Sequence, residues 1–310
     1  MTPDAAPTDE APHRPRADRR ARIAVQVKPQ HAEYAEIRRA VAAAEEAGAD
    51  VVLNWDHFFP LSGDPDGRHF EAWSMLAAWA EATERVEIGT LVTCTAYRNP
   101  QLLADMARTV DHISARGGAG RLILGIGSGW FERDFEEYGY DFGTAGGRLR
   151  KLDADLPVIR RRWAELNPAP TRDIPVLIGG GGEQVTLRIV AREADIWHGF
   201  GTAEQIAHKH AVLDEWCRRL GRDPADIERS AGVSPKPGRY PEDLDDYAGH
   251  AEALHAVGTR LFTVGLEAPN WDLGPIRELI AWRDERNAAA DAGAQTADSA
   301  VDAGAHPAAG

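Results

Sequence analysis

The sequence predicts an α/β chain of the (β/α)8 TIM-barrel class, and three observations predict it. Eight short β-prone runs alternate with longer amphipathic stretches, 310 residues suffice for one barrel of about 250 residues with tails, and polar or glycine-rich segments sit where the runs stop. The runs lie at 23–27, 51–53, 86–91, 122–126, 175–178, 195–198, 227–233 and 261–264. Helical patterns follow them at 31–47, 70–83, 100–115, 147–164, 183–193, 203–220, 241–257 and 274–287, several opened by Pro or a capping residue. Such alternation reads as parallel βα units, and eight units close a barrel. The barrel domain is expected over 21–287. The tails 1–20 and 288–310 carry too few large apolar groups to offset ordering entropy and are expected to be unstructured.

Composition narrows the function. A net charge of -14 repels nucleic acid and anionic membranes, and no basic patch outside the N-terminal tail counters it. Two cysteines, Cys94 and Cys217, lie far apart without metal or redox spacing, so no disulfide framework is expected. The N-terminus lacks an apolar signal region and no run of about 18 apolar residues occurs. A cytoplasmic protein with a small-molecule partner is the expectation. No His-x-His follows the first strand, and His31, His57 and His198 make no ligand set, so no metal is expected.

A barrel places its chemistry in the loops after the strands. After the second strand stand Trp55, Asp56, His57, Phe58 and Phe59. An imidazole beside a carboxylate can be held in one tautomer to exchange a proton with a substrate oxygen; a histidine packed under the two phenylalanines and bonded to Asp56 is the alternative. The third loop, from Thr90 to Pro100, offers three threonines and Arg98 to an anion, or is simply a capped turn. Cys94 reads as a packed thiol, since no base is near in sequence. Gly127, Ser128 and Gly129 would let a backbone approach a flat ring that Trp130 could wall, but G-x-G-x-G is not a dinucleotide fingerprint. Gly179, Gly180, Gly181 and Gly182 stand between a strand and a helix, where bare amides form a phosphate cradle. A flexible turn is the other reading. Gln184 and Val185 exclude a Walker A loop.

Four motifs in order, WDHFFPL at 55–61, ERVEIGTLVTCTAYRNP at 84–100, RLILGIGSGWFERDFEEYG at 121–139 and IPVLIGGGGEQVTLRIVAREADIWH at 174–198, resemble the luciferase-like monooxygenase superfamily, and within it the F420-dependent oxidoreductase branch. The resemblance spans 22–233. It implies a luciferase-like barrel with coenzyme F420 across the C-terminal mouth, FMN being the alternative cofactor and monooxygenation the alternative chemistry. Asp56 and His57 would lie beside the ring, His57 as proton donor or acceptor steadied by Asp56. Leu91, Val92 and Thr93 would carry a non-prolyl cis peptide that bulges behind the ring. Gly127, Ser128 and Gly129 would line the ring and ribityl side, and Gly179 to Gly182 the phosphate. Trp55, Phe58 and Trp130 would shape the substrate pocket. Sugar-phosphate dehydrogenases of this branch carry a catalytic Glu where this chain has Trp130, which argues against glucose 6-phosphate. The short connection at 167–173 is expected to leave the mouth open and the subunits to pair as a homodimer; a groove with cationic groups such as Arg98 or Arg148 beyond the phosphate loop would favour F420, with its acidic tail, over FMN. A non-catalytic F420-binding barrel is the competing reading from another class.

Overall fold

A computed structural model of the chain describes residues 20–233 and 246–304, with side chains to residue 293. Strands β1 (Arg22–Val27), β2 (Val51–Asn54), β3 (Glu87–Thr90), β5 (Leu122–Gly127), β6 (Val176–Gly179), β7 (Ile196–Gly199), β8 (Glu228–Gly232) and β9 (Leu261–Leu266) pair in parallel, and β9 returns to β1, so the sheet closes. A two-residue strand, β4 (Thr93–Cys94), continues β3 along β5 after a break. That short piece is not legible from periodicity.

Helices α1 (Tyr34–Ala47), α2 (Ala72–Ala82), α3 (Pro100–Ala115), α5 (Ala145–Glu165), α6 (Thr186–Glu193), α7 (Ala203–Leu220), α8 (Tyr247–Ala256) and α9 (Gly274–Gly304) follow the strands, and α4 (Glu132–Tyr138) is inserted after β5. Local chemistry sets their ends. Asn99 accepts from the amides of Gln101 and Leu102 with Pro100 opening α3, and Thr202 and Gln205 form a capping box on α7. The last helix passes the boundary expected at 287. Its alanine-rich sequence favours helix, Asn287 bonds the Ala21 backbone, and Arg20 pairs with Asp291 at 2.6 Å, so part of the tail expected to be unstructured is helical. Residues 1–19 and the loop beginning at Ser234 lie outside the described residues.

Two apolar layers form the core. One fills the space between strands and helices, with Trp79, Trp197 and Phe262 fully buried. The other lies inside the barrel and consists of Ala24, Val51, Leu53, Leu91, Ile123, Leu177, Ile196 and Leu261. Alternate strand residues point to alternate layers. The connection at 167–173 precedes β6, and Arg172 there reaches Leu122 O at the start of β5. It therefore lies at the N-terminal face, and its length has no bearing on how open the mouth is.

Candidate active site

The break between β3 and β4 is a cis peptide at Leu91-Val92. Side chains from several elements pin it: Gln26 of β1 donates to Leu91 O at 3.0 Å, and Trp73 of α2 donates to Thr93 Oγ1 at 3.0 Å. Thr93 in turn donates to Thr90, whose hydroxyl is bonded to Gly125 O. The Thr93 side chain is thus fully buried and spent on the bulge, so it props the platform and presents nothing to a ligand. Val92 is half-buried and closes against two glycines. A methyl at Gly127 would come within 2.8 Å of Val92 Cγ2, and one at Gly179 within 3.2 Å of Cγ1. The bulge, the G-x-G-x-G strand end and the four-glycine loop, remote in sequence, converge at this one point.

His57 does not bond Asp56. Side chains of adjacent residues in extended chain project to opposite sides, and here they diverge. Asp56 turns to Arg98, whose guanidinium meets it at 2.6 and 3.1 Å and also holds Glu71 at 2.7 Å. Burial pushes the Asp56 carboxyl up, against the pull of Arg98. His57 instead places Nδ1 at 2.6 Å from Oδ2 of Asp134 on α4. Asp134 is fully buried and accepts two further hydrogen bonds, from the Tyr97 hydroxyl at 2.8 Å and the Phe58 amide at 3.0 Å. Burial first, and the Asp134 carboxylate with it, hold the Tyr97 phenol above its ordinary value, so it stays a donor. With the carboxylate as acceptor, the His57 proton is fixed on Nδ1 and Nε2 is left for exchange. Asp134 was not singled out by sequence reasoning. Its one signal is an acid between Phe131 and Phe135 in a short, glycine-ended helix.

Aromatic rings wall His57. Trp55, Trp130 and Phe131 stand edge-on to it, with centroids at 6.4, 5.8 and 5.6 Å. Trp130 is 60% exposed. Trp55 is buried and donates to His69 Nε2 at 3.0 Å. Burial, with the nearby His57, pushes His69 down to about 4, which keeps it neutral as that acceptor. Phe58 faces elsewhere: it stacks on Tyr138 at 4.0 Å and lies 4.6 Å from Tyr97, in the cluster that holds α4 in place. Its role is support for the Asp134 helix, not the pocket wall expected of it.

Ser128 and Gly129 continue β5 into the mouth, both half-buried. Gly129 has φ 81°, and a Cβ there would lie 2.5 Å from Cys94 Sγ. Burial pushes the Cys94 thiol up to about 12, consistent with a packed group. At the glycine loop, Gly180 adopts φ 133° and its amide is committed to His198 O at 3.1 Å, so one donor of the expected cradle is spent. Gly181 and Gly182 are exposed, and α6 starts at Thr186, three residues later than the sequence pattern suggests. A Cβ at Gly181 would sit 3.7 Å from Lys209 Cε, which brings a cation beside the bare backbone; its ammonium rests on Glu183 at 2.5 Å. Arg98 is locked to Asp56 and Glu71, and Arg148 to the carbonyls of Gly129 and Phe142, so neither is placed to receive an acidic tail. Among the described residues no cluster of three or more His, Cys, Asp or Glu could hold a metal, and no helix is long and apolar enough to cross a membrane.

The chain is similar to several known proteins. An F420-dependent glucose-6-phosphate dehydrogenase of Amycolatopsis mediterranei is 32% identical over 171 residues, 49% of this chain and 49% of that one. An uncharacterised protein of Mycobacterium tuberculosis is 27% identical over 201 residues, 57% of this chain and 69% of the other. Among solved structures, an F420-dependent secondary alcohol dehydrogenase in complex with an F420-acetone adduct superposes with a TM-score of 0.73 at 17% identity, covering 85% of this chain and 99% of that one. The F420-dependent tetrahydromethanopterin reductase of Methanopyrus kandleri gives 0.64 at 16%, covering 84% and 97%. These two share the fold. The luciferase-like monooxygenase family model matches residues 17–306, leaving no part of the described barrel outside it, and the chain belongs to that family.

Proposed function

We propose that the protein is an F420-dependent oxidoreductase that passes a hydride between its cofactor and a small organic substrate. The observation that carries this reading is the buried His57–Asp134 pair, 2.6 Å apart, with the exposed Trp130 ring 5.8 Å from the imidazole. The residues present fit a phosphorylated tricyclic group. Val92 forms a half-buried apolar platform, the glycines at 127 and 179 keep the space beside it free of side chains, and Gly181 and Gly182 offer exposed backbone next to Lys209. Relatives named as F420-dependent enzymes support F420 over FMN.

Bound F420 supplies a hydride donor or acceptor at ring C5. The chain supplies the rest. Asp134 holds His57 in one tautomer and one orientation, so that Nε2 can give a proton to, or take one from, a substrate oxygen. Trp55, Trp130 and Phe131 pack about that imidazole and leave it 8% exposed. Asp56 acts at a remove: its ion pair with Arg98 joins the β2 loop to the segment just after β4 and keeps both at the mouth. Trp130 stands where sugar-phosphate dehydrogenases of this branch carry a catalytic carboxylate, so the substrate we assign is a small apolar molecule and not a sugar phosphate.

The test is oxidation of reduced F420 in the presence of a panel of carbonyl and enone acceptors. Turnover with at least one apolar acceptor is expected, and in the reverse assay glucose 6-phosphate should not reduce oxidised F420. Tight FMN binding without measurable F420 binding would transfer the protein to the monooxygenase reading, and F420 binding without turnover on any acceptor would make it a carrier.

A further inference from the structure

Two polar atoms inside the barrel are spent on nothing. Among the described residues, Nε2 of His198 and Oγ1 of Thr263 are buried without a hydrogen-bond partner, in residues 1% and 5% exposed. An orphaned buried polar group costs stability, about 1 to 3 kcal/mol by general experience, and its persistence points to a partner that comes and goes.

Register places both on the inner face. Ile196 and Leu261 belong to the interior cluster, and His198 and Thr263 stand two residues further along the same strands. His198 is paired with Gly179, and a Cβ at Gly179 would point at Val92. Neighbours in register share a face, so the imidazole faces the barrel axis on the side where the bulge rises. Thr263 is paired with Ala24 of the interior cluster and with Gly232, which leaves the adjoining position of β8 without a side chain. Ser230, the register partner of His198, bonds its Nδ1 at 2.8 Å. A hydroxyl can donate or accept, so this pairing lets Nε2 present either a proton or a lone pair. Burial holds His198 down to about 3, so the ring stays neutral at any working pH. Phe200 stands edge-on to it at 4.7 Å and is itself 52% exposed.

We infer that His198 Nε2 and Thr263 Oγ1 are the polar floor of the mouth and bind an uncharged carbonyl or amide edge of the molecule seated on the Leu91-Val92 bulge. A neutral imidazole in an apolar barrel suits such an edge and does not suit a carboxylate or phosphate. Two molecules can supply it: the pyrimidinedione end of the cofactor ring or a carbonyl of the substrate. The inference rests on the oxidoreductase reading above. His198 is then a positioning residue that sets how deep the bound molecule sits, on the opposite side of the mouth from the proton-exchanging His57.

The experiment compares wild type with His198→Leu, His198→Gln and Thr263→Val, using calorimetric titration with F420 and with FMN, thermal melts, imidazole 15N resonances before and after F420, and steady-state kinetics with the best carbonyl or enone acceptor of the panel above. His198→Leu deletes one unpaired polar atom but strips the buried Ser230 hydroxyl of its partner, so it should melt somewhat below wild type while still folded, and bind F420 about tenfold more weakly. His198→Gln, which restores a polar atom near Nε2, should stay within about threefold, and Thr263→Val should lose about threefold. The wild-type His198 Nε2 resonance should move on saturation. An unchanged F420 affinity in His198→Leu with a substrate KM raised about tenfold would support the inference and assign the edge to the substrate. Unchanged affinity, unchanged KM and a static Nε2 resonance would overturn it. If His198→Leu fails to fold, the wild-type resonance alone decides. If wild type binds neither F420 nor FMN, the oxidoreductase reading fails first and this inference falls with it.

Discussion

The two ends of the barrel differ in what their paired groups are built from. At the N-terminal face they are guanidinium–carboxylate pairs: Arg22 reaches Glu87 at 2.5 Å and Glu228 at 2.6 Å, and Arg172 joins Glu87 at 2.7 Å, so each charge meets its opposite, although Nε of Arg172 has no hydrogen-bond partner among the described residues. At the C-terminal face Arg98 is paired in the same way with Asp56 and Glu71, but two histidines are tied at one ring nitrogen only: His57 through Nδ1 to Asp134, and His198 through Nδ1 to Ser230. A paired charge serves stability, and a one-sided imidazole is what our reading assigns to a ligand. This is the division of labour expected of barrels, whose chemistry sits at the strand C-termini and whose opposite face serves stability.

The comparison breaks most easily at His57. His57→Ala should lower turnover about 100-fold while calorimetry shows cofactor affinity within about twofold of wild type; unchanged turnover would remove His57 from the mechanism. Asp134→Asn keeps the shape but lets the imidazole settle in the other tautomer, and a loss of about 30-fold in kcat with KM nearly constant is expected. Asp56→Asn, by contrast, should leave the shape of the pH–rate profile unaltered, since Asp56 touches Arg98 and not His57.

At the other end, Glu87→Ala should cost about 1 to 2 kcal/mol in denaturant melts, discounted from a fully buried pair because Arg22 and Glu87 are partly exposed, with kcat unchanged. A fall in kcat at equal folded fraction would end the separation of the two faces. Acid sharpens it further. Burial alone would raise the Glu87 carboxyl, but Arg22 and Arg172 overcome burial and hold it below the ordinary 4.5. Its contribution is therefore complete above 4.5 and lost as pH falls through the depressed folded value. His198 is depressed too, from 6.5 to about 3, because burial disfavours the imidazolium. The unfolded chain takes up that proton first, so stability falls as pH drops from 6.5 towards 3. Subtracting the stability curve of His198→Gln from wild type should show this loss beginning near 6.5, and that of Glu87→Gln only near 4.5. Coincident onsets would contradict the assignment.

The fold was legible because strand runs and helix patterns are properties of contiguous sequence. All eight long strands appear where the β-prone runs lie, with ends shifted by one or two residues. The resemblance put Leu91 to Thr93, Gly127 and Gly179 around one cofactor, with Gly179 at its phosphate; that Val92 closes against both Gly127 and Gly179 was not read from the sequence. What escaped was pairing between distant residues. Asp56 stands next to His57 in sequence and so looked like its partner, although backbone geometry sends the two apart. Asp134 is 77 positions away and sits in an acidic stretch, ERDFEEY, that reads as a solvated helix. Phe58 looked like pocket lining because it adjoins His57, and the Tyr97, Tyr138 and Tyr140 rings that claim it are scattered over other elements.

The account turns on a ring seated on the Leu91-Val92 bulge within reach of His57. Titrating purified protein with F420 and with FMN in a calorimeter tests that most directly: saturable 1:1 binding of F420, clearly tighter than that of FMN, is the predicted result, and heat from neither cofactor would contradict it.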